Sequence, residues 1–529
     1  MVRLQLSAVL SCMVLCGFIA MMFLVYTDVP QQFTLIEDHG LREVYNDNAQ
    51  DVKAVGFEQL AGEIKVEMFV EKIDDEVKHN LHQEDNSTGK FVKSSVKHKQ
   101  TSNPMTYSID KMKLIRDRFK TRRRVLNETC FKYESIVYKY LPCELKKTKF
   151  DLKYVEDGGL IYCAIPKTGS TFWKRVMHVI GGWGNTTNPI EIRSEDADKV
   201  GGFSTMEDKN FTEIRDLFEF SKTVMFVRDP FTRLFSAWLD KFYSPNPFYW
   251  KYGGTNIVTR QRFYANNTTE EKSEDSSEDE TNGAVQLIKR SLSNDEETED
   301  ANTTTQKPPV KCGYDVSFEE FISYVVGFRQ NSTCLDEHFS PNYKHCMPCT
   351  FEYEYIGKYE TFKEETVFLL NELNLTEKVK IPDFEKDANL DAITGLTEWV
   401  FLQEKKIEEC GVTFRCALFR TFKRLQSRGV ISKSVPFPYD NNTDINIITE
   451  DIFRNDLLRL SKIGTKAEKR KNRQESILKA FKSLPKQLLE KLKESLRVDL
   501  EMFDYNDSPE YLEGEVTSFD YFENCLGDE

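Results

Sequence analysis

Histidine is scarce in this chain, with seven residues in 529. Four of them, His39, His79, His82 and His98, sit in a polar N-terminal stretch. Imidazole acid–base work near neutral pH therefore falls to His178, His338 or His345. The nucleoside-triphosphate pattern G-x-x-x-x-G-K-[ST] is missing as well. Where a phosphate loop is suggested, Lys167 precedes the only glycine, Gly169, instead of following a second one. Cys346-x-x-Cys349 has no companion pair at metal-ligand spacing, which favours structural disulfides over a zinc or redox site. No internal repeat is evident, which sets aside solenoid and propeller arrays.

Two strand-to-helix segments are what the chain does offer. Leu160 to Ile165 is a continuous apolar run, the pattern of a strand buried on both faces, and Pro166 ends it. Lys167-Thr168-Gly169-Ser170-Thr171 follows, then a helical spacing of Phe172, Val176, Val179 and Ile180 that stops at Gly181-Gly182. The unpaired N–H groups of such a helix start face the loop and favour an anion. The second segment runs from Thr223 to Val227 as a buried-type strand, with Arg228 at its end and Pro230 placed to open a helix. Arg233 and Lys241 keep that neighbourhood cationic. Arg228 and Ser236 are eight positions apart, so they flank one phosphate only if loop and helix fold back. Two such sites imply a ligand with phosphates at two ends. An ordinary strand-turn-helix with a surface lysine, and a local Arg228-Asp229 ion pair, are the plainer alternatives.

Together the two segments resemble the cofactor-binding motifs of sulfotransferases. The resemblance implies that Lys167, Thr168, Gly169, Ser170, Thr171 and Phe172 bind the 5′-phosphosulfate of PAPS (3′-phosphoadenosine 5′-phosphosulfate), and that Arg228 and Ser236 bind its 3′-phosphate. Arg228-Asp229-Pro230-Phe231, Arg233-Leu234, Ser236-Ala237 and Lys241-Phe242 are similar to the Golgi carbohydrate sulfotransferases of the HNK-1 and chondroitin/dermatan 4-O type. So are Asp336-Glu337-His338-Phe339-Ser340-Pro341, Cys346-Met347-Pro348-Cys349, Tyr355-Ile356-Gly357-Lys358-Tyr359-Glu360-Thr361, and the closing stretch Leu484-Pro485 with Leu496 to Tyr505. The likeness covers residues 114–505 with interruptions. One departure is the first loop, where that subfamily reads P-K-[VA]-A-[CS]-T.

The resemblance implies one α/β, P-loop-like sulfotransferase domain with a central, mostly parallel sheet flanked by helices. Its expected reaction moves a sulfuryl group from PAPS to a glycan hydroxyl, with GalNAc 4-O of chondroitin or dermatan favoured and N-glycan or other glycosaminoglycan ends as alternatives. A variant kinase and a non-catalytic glycan-binding relative are readings from other classes. The first lacks G-K-[ST], and the second would be expected to have lost Lys167 or Arg228. Lys167 and the N–H groups of Gly169 to Phe172 suit the charge that develops on a leaving 5′-phosphate. The chemistry requires no metal. A sugar hydroxyl calls for a base, and His338 between acidic neighbours is the candidate, with Glu337 next and a purely structural His338 the alternative. His178 is a candidate packing residue.

The ends suggest a compartment. Leu4 to Tyr26 are mostly apolar and uncharged, enough to span a bilayer, with Arg3 before them and Asp28, Glu37 and Asp38 after. That polarity predicts a single-pass type II membrane protein with a lumenal bulk, a cleaved signal peptide being the alternative, and the resemblance implies the Golgi membrane. Eleven N-x-[ST] sequons from Asn86 to Asn506 agree with secretory exposure. The predicted layout is a tip and anchor over 1–26, a stem over 27–113, a catalytic domain over 114–510 and an acidic tail over 511–529. Within the domain, 265–309 reads as a disordered acidic insertion and 404–475 as a further insertion. The first explains much of the net charge of −14, so that charge does not argue against an anionic glycan partner. The basic tracts Arg116–Arg124 and Lys462–Arg473 suit glycan contact or plain solvation better than nucleic acid. A homo-oligomer is compatible with all of this. Most cysteines outside the anchor are expected to pair, with Cys163 inside the first strand as a possible free thiol.

Overall fold

The computed structural model describes residues 107–156, 159–264, 310–330, 334–512 and 521–522. The expected anchor over 4–26, nearly all of the stem, and the acidic stretch 265–309 lie outside them. No helix among the described residues is long and apolar enough to cross a membrane.

In chain order, α1 (Ile109–Lys132) and α2 (Pro142–Asp151) lead into β1 (Leu152–Val155) and β2 (Leu160–Cys163). Helix α3 (Ser170–Ile180), β3 (Ser204–Thr205), α4 (Phe211–Phe220), β4 (Lys222–Val227) and α5 (Pro230–Trp238) follow. Then come α6 (Phe318–Gln330), β5 (Tyr355–Lys358), α7 (Phe362–Glu372) and α8 (Lys386–Leu402). Helices α9 (Phe414–Ser427), α10 (Glu450–Leu460), α11 (Lys466–Lys482) and α12 (Lys486–Met502) close the order.

The sheet order is β3-β1-β2-β4-β5. Strand β2 pairs parallel with β4, and β4 parallel with β5, in registers that set Ile161 opposite Thr223 and Phe226 opposite Gly357. Strand β1, however, is antiparallel to both β2 and β3. The expected mostly parallel sheet is thus a mixed one. The reason is length: only residues 156–159 separate β1 from β2, and a parallel crossover needs a dozen or more residues.

Alternation along the central strands builds two cores. Leu160, Tyr162, Val224 and Phe226 face one side, where Phe119 of α1, Trp173 and Val176 of α3 and Phe368 of α7 cover them. Ile161, Cys163, Met225 and Val227 face the other, against Leu126, Phe218, Val498 and Met502. All four residues of β2 are buried, as its unbroken apolar run predicts.

Disulfides join Cys130 to Cys349, Cys143 to Cys334, Cys163 to Cys346 and Cys312 to Cys410. Cys163 is therefore not a free thiol. Its side chain leaves the sheet on the face where residues 343–353 pack, which brings Cys346 within reach. Half of the α1 basic tract is also spent internally. Arg116 pairs with Glu372, Arg118 with Glu364 and Glu365, and Arg122 forms a bidentate pair with the fully buried Glu365.

Residues 404–475 fold as ordered helices. Phe414, Leu418 and Phe453 build a helical core there with Trp250 and Ile393. Described parts of the expected tail also dock, since Tyr511 Oη donates to Asp229 at 2.8 Å and Phe522 is buried.

Candidate active site

The carboxyl ends of β2, β4 and β5 converge, and each delivers a functional group. After β2 the chain turns through Lys167 (φ 70°) and Gly169 (φ 90°), both in the left-handed region. Left-handed residues separated by an ordinary one turn successive N–H groups inward, the geometry of an anion nest. Gly169 is required twice, because an added Cβ would lie 2.5 Å from the Phe362 ring. At Lys167 the same backbone costs roughly 1–2 kcal/mol, which the surroundings must hold in place. Thr168 Oγ1 donates to the Ile165 carbonyl at 2.8 Å, and Gly169 then caps α3, its carbonyl accepting from Phe172 N at 3.1 Å. Two arginines brace the turn: Arg233 Nε donates to Pro166 O at 2.9 Å and Arg228 Nη1 to Lys167 O at 3.2 Å.

Arg228 leaves the end of β4 and lies along α5, its Nε donating to Thr232 Oγ1 at 3.2 Å. Arg228, Thr232 and Ser236 thus follow each other at four-residue intervals, which is how an eight-residue spacing folds back on one side of a helix. No hydrogen bond among the described residues engages the Ser236 hydroxyl. Asp229 spends its carboxylate on Thr232 N at 2.7 Å and on Tyr511 Oη, not on the Arg228 guanidinium.

From the end of β5 comes Tyr359, whose ring lies 4.6 Å from the Arg228 guanidinium and 5.9 Å from that of Arg473. Burial pushes the Tyr359 phenol up, yet Arg228, Arg473 and Arg428 together bring it below its ordinary value. Arg428 is exposed by area but densely surrounded, and desolvation lowers its own pKa, as burial does for Arg228. Three cations therefore crowd one phenol.

Lys167 Nζ reaches Asp240 Oδ2 at 2.8 Å, with 17 % of its side chain exposed. The other carboxylate oxygen accepts from Arg424, and Lys241 stands 3.5 Å away. Burial pulls Lys167 from 10.5 down to about 8; Asp240 opposes this, while Lys241 and Arg424 add to it. Burial works the other way on Asp240, but the three cations hold it well below the carboxylate range.

His338 sits beyond Lys241. Its Nδ1 lies 2.9 Å from Asp336 Oδ1 and 3.0 Å from Tyr249 Oη, which itself donates to Asp336 Oδ2 at 2.9 Å. Lys241 in turn lies 4.6 Å over the Tyr249 ring. A carboxylate at Nδ1 fixes the proton there and leaves Nε2 as the basic nitrogen, with no partner among the described residues. Burial lowers the His338 pKa from 6.5 against the pull of Asp336, so the ring is neutral at neutral pH. Burial would raise Asp336, but His338 and Tyr249 hold it at about 2. Glu337, the alternative base, pairs with Lys147 through one carboxylate oxygen, and the other lies 3.8 Å from His338 Nδ1.

The other two histidines are structural. His178 accepts from Gly202 N at 3.1 Å and stacks between Trp183 and Phe203. His345 is buried between Asp151 and Ser340, each at 2.9 Å.

A chain of contacts thus links Arg228 to Lys167, Lys167 through Asp240 to Lys241, and Lys241 through Tyr249 to His338, while Ser236 follows Thr232 along α5. The structure adds Asp240, Tyr249, Asp336, Tyr359, Arg424, Arg428 and Arg473, which sequence reasoning did not assign. Asp336 and Tyr359 stood within quoted motifs, and Arg473 within a basic tract read as suiting glycan contact or plain solvation. Arg424 and Arg428 gave no local signal, because only the packing of α9 brings them in. No cluster of three metal-ligating side chains occurs among the described residues.

Residues 151–405, a little under half the chain, match the family model described as the sulfotransferase family. Carbohydrate sulfotransferase 11 of Rattus norvegicus is 31% identical over 244 residues, covering 45% of this chain and 58% of that protein. The same-named protein of Danio rerio is 31% identical over 272 residues, covering 50% and 64%. Carbohydrate sulfotransferase 9 of Homo sapiens is 27% identical over 278 residues, covering 52% of each. The chain spans less than two thirds of the length of these relatives. No solved structure matches it. The matched stretch, 151–405, holds the mixed sheet and the candidate site, and is similar to the sulfotransferase family.

Proposed function

We propose that this chain is a PAPS-dependent carbohydrate sulfotransferase, and within that class one that acts on GalNAc 4-O of chondroitin or dermatan. The observation that carries the reading is the meeting of the two anion-suited segments, with Arg228 bonded to the backbone of Lys167. A donor phosphorylated at two ends matches cations set on both sides of one turn. The relatives named for carbohydrate sulfotransfer support a glycan acceptor, and the sequons and disulfides support work in the Golgi lumen.

The residues divide the task. The N–H groups at the start of α3 and Lys167 Nζ would hold the 5′-phosphosulfate and offset charge on the leaving phosphate. Arg228 and Ser236 would take the 3′-phosphate, with Arg428 and Arg473 adding positive field. His338 Nε2 would accept the proton of the attacking hydroxyl, and Asp336 would stabilise the imidazolium so formed.

The test is transfer of radiolabelled sulfate from PAPS by the purified chain to desulfated glycosaminoglycans and N-glycans. Label on chondroitin or dermatan, with disaccharide analysis giving 4-O-sulfated GalNAc, is the expected result. Label only on another glycan would replace the acceptor, and absence of PAPS binding would end the reading.

A further inference from the structure

Two aromatic rings stand in water beside this site. Phe248 and Tyr252 lie four residues apart on the helical stretch 247–258, exposed by 61% and 70%, with ring centroids 5.0 Å apart. Single exposed hydrophobics are ordinary, but two large rings held together on one face beside a reactive centre call for an occupant. Their neighbours turn inward. Trp250 is fully buried with Nε1 donating to Phe242 O at 2.9 Å, and Tyr249 reaches Asp336 and His338. Phe248 meets the Tyr249 ring edge-on at 5.6 Å, so the ledge continues into the ring whose hydroxyl faces His338. A π-helical turn at Leu239–Tyr243 precedes it and another at Trp250–Gly254 carries Tyr252, and such turns concentrate at functional sites. The first of them carries Asp240 and Lys241.

We propose that Phe248 and Tyr252 form an acceptor subsite, stacking on the C–H faces of pyranose rings next to the hydroxyl presented to His338. The proposal rests on the sulfotransferase reading. A pyranose has an apolar C–H face and a polar rim, so it gains contact from an aromatic ring while its hydroxyls stay in water. The ledge is two rings wide, and the exposed Asn256 continues its face. A bilayer or an apolar helix would need a broader patch. At the inner end Lys241, seated over Tyr249, adds the positive charge that an acidic polysaccharide complements. The outcome is a track leading from solvent to the base.

The test compares the full chain with Phe248→Ala, Tyr252→Ala and the double variant, using PAPS and the glycan that the wild type sulfates. Loss of each stacked ring is expected to raise acceptor KM about tenfold, in line with the worth of a good aromatic contact. KM for PAPS and the melting temperature should stay at wild-type values, and Phe248→Tyr and Tyr252→Phe should keep wild-type acceptor KM. Wild-type turnover with an unchanged acceptor KM in the double variant would overturn the subsite alone. Absence of sulfate transfer to any glycan by the wild type would remove the sulfotransferase reading and this proposal with it.

Discussion

At Lys167, burial opposes the charge that an incoming phosphate needs. With its pKa drawn down to about 8, the amine loses its proton just above neutrality in the free protein. The expected result is a kcat/KM for PAPS that falls as pH rises through about 8, since that parameter reports the free enzyme. Asp240 is what keeps the value from dropping further. Asp240→Asn should therefore move the same alkaline limb to lower pH, which a pH–rate series would show. In the proposed role of base, His338 would set the opposite limb. Its depressed pKa places loss of base function below 6.5, and His338→Asn should cut kcat about 10²–10⁴-fold while leaving KM for PAPS near wild type. At this scale much of the candidate site's placement was legible, because Lys167, Arg228 and His338 sit in motifs with physical content and a chain of contacts joins them. Asp240 was not, since an aspartate four residues past Ser236 has no meaning until the lysine of a distant loop lands on it.

Elements carry the load at Glu365 and His345. Glu365 on α7 is fully buried and holds Arg122 of α1 through two hydrogen bonds, at 2.9 and 3.0 Å, beside the Lys358 N–H of β5. Removing one partner leaves a buried charge, so Glu365→Ala should cost about 3–5 kcal/mol in urea unfolding. His345 ties the end of α2 to the segment before β5, and burial lowers it from 6.5 to about 4. The unfolded chain then binds more protons between those values. This contribution to stability is complete above 6.5 and is lost as pH falls toward 4, readable as a falling melting temperature. Helix α3 was readable from the apolar spacing of Phe172, Val176, Val179 and Ile180. The antiparallel placement of β1 was not, because the sheet expectation rested on the strands that lead into the two phosphate-suited loops, and Leu152–Val155 precedes both.

At the scale of the molecule, three disulfides converge on residues 334–349, the stretch that holds His338 and His345. Cys143→Ser with Cys334→Ser should lower stability by about 2–4 kcal/mol, and should reduce kcat more than it changes KM for PAPS. Unaltered turnover would show that packing alone holds His338 in place. Residues 404–475 illustrate where sequence reading stopped. Read as an insertion, they gave no sign of the core around Phe414, Leu418 and Phe453 on which α9 carries Arg424 toward the site.

The convergence of those bridges also imposes an order in time. Cys130, Cys143 and Cys163 are made 219, 191 and 183 residues before their partners. At ordinary synthesis rates that gap is roughly 10–40 s. During it the growing chain carries three early thiols whose correct mates do not yet exist, so any bond they make with one another must later be undone. Maturation of this protein should then be paced by disulfide exchange, and by how quickly the 334–349 segment arrives to claim its cysteines.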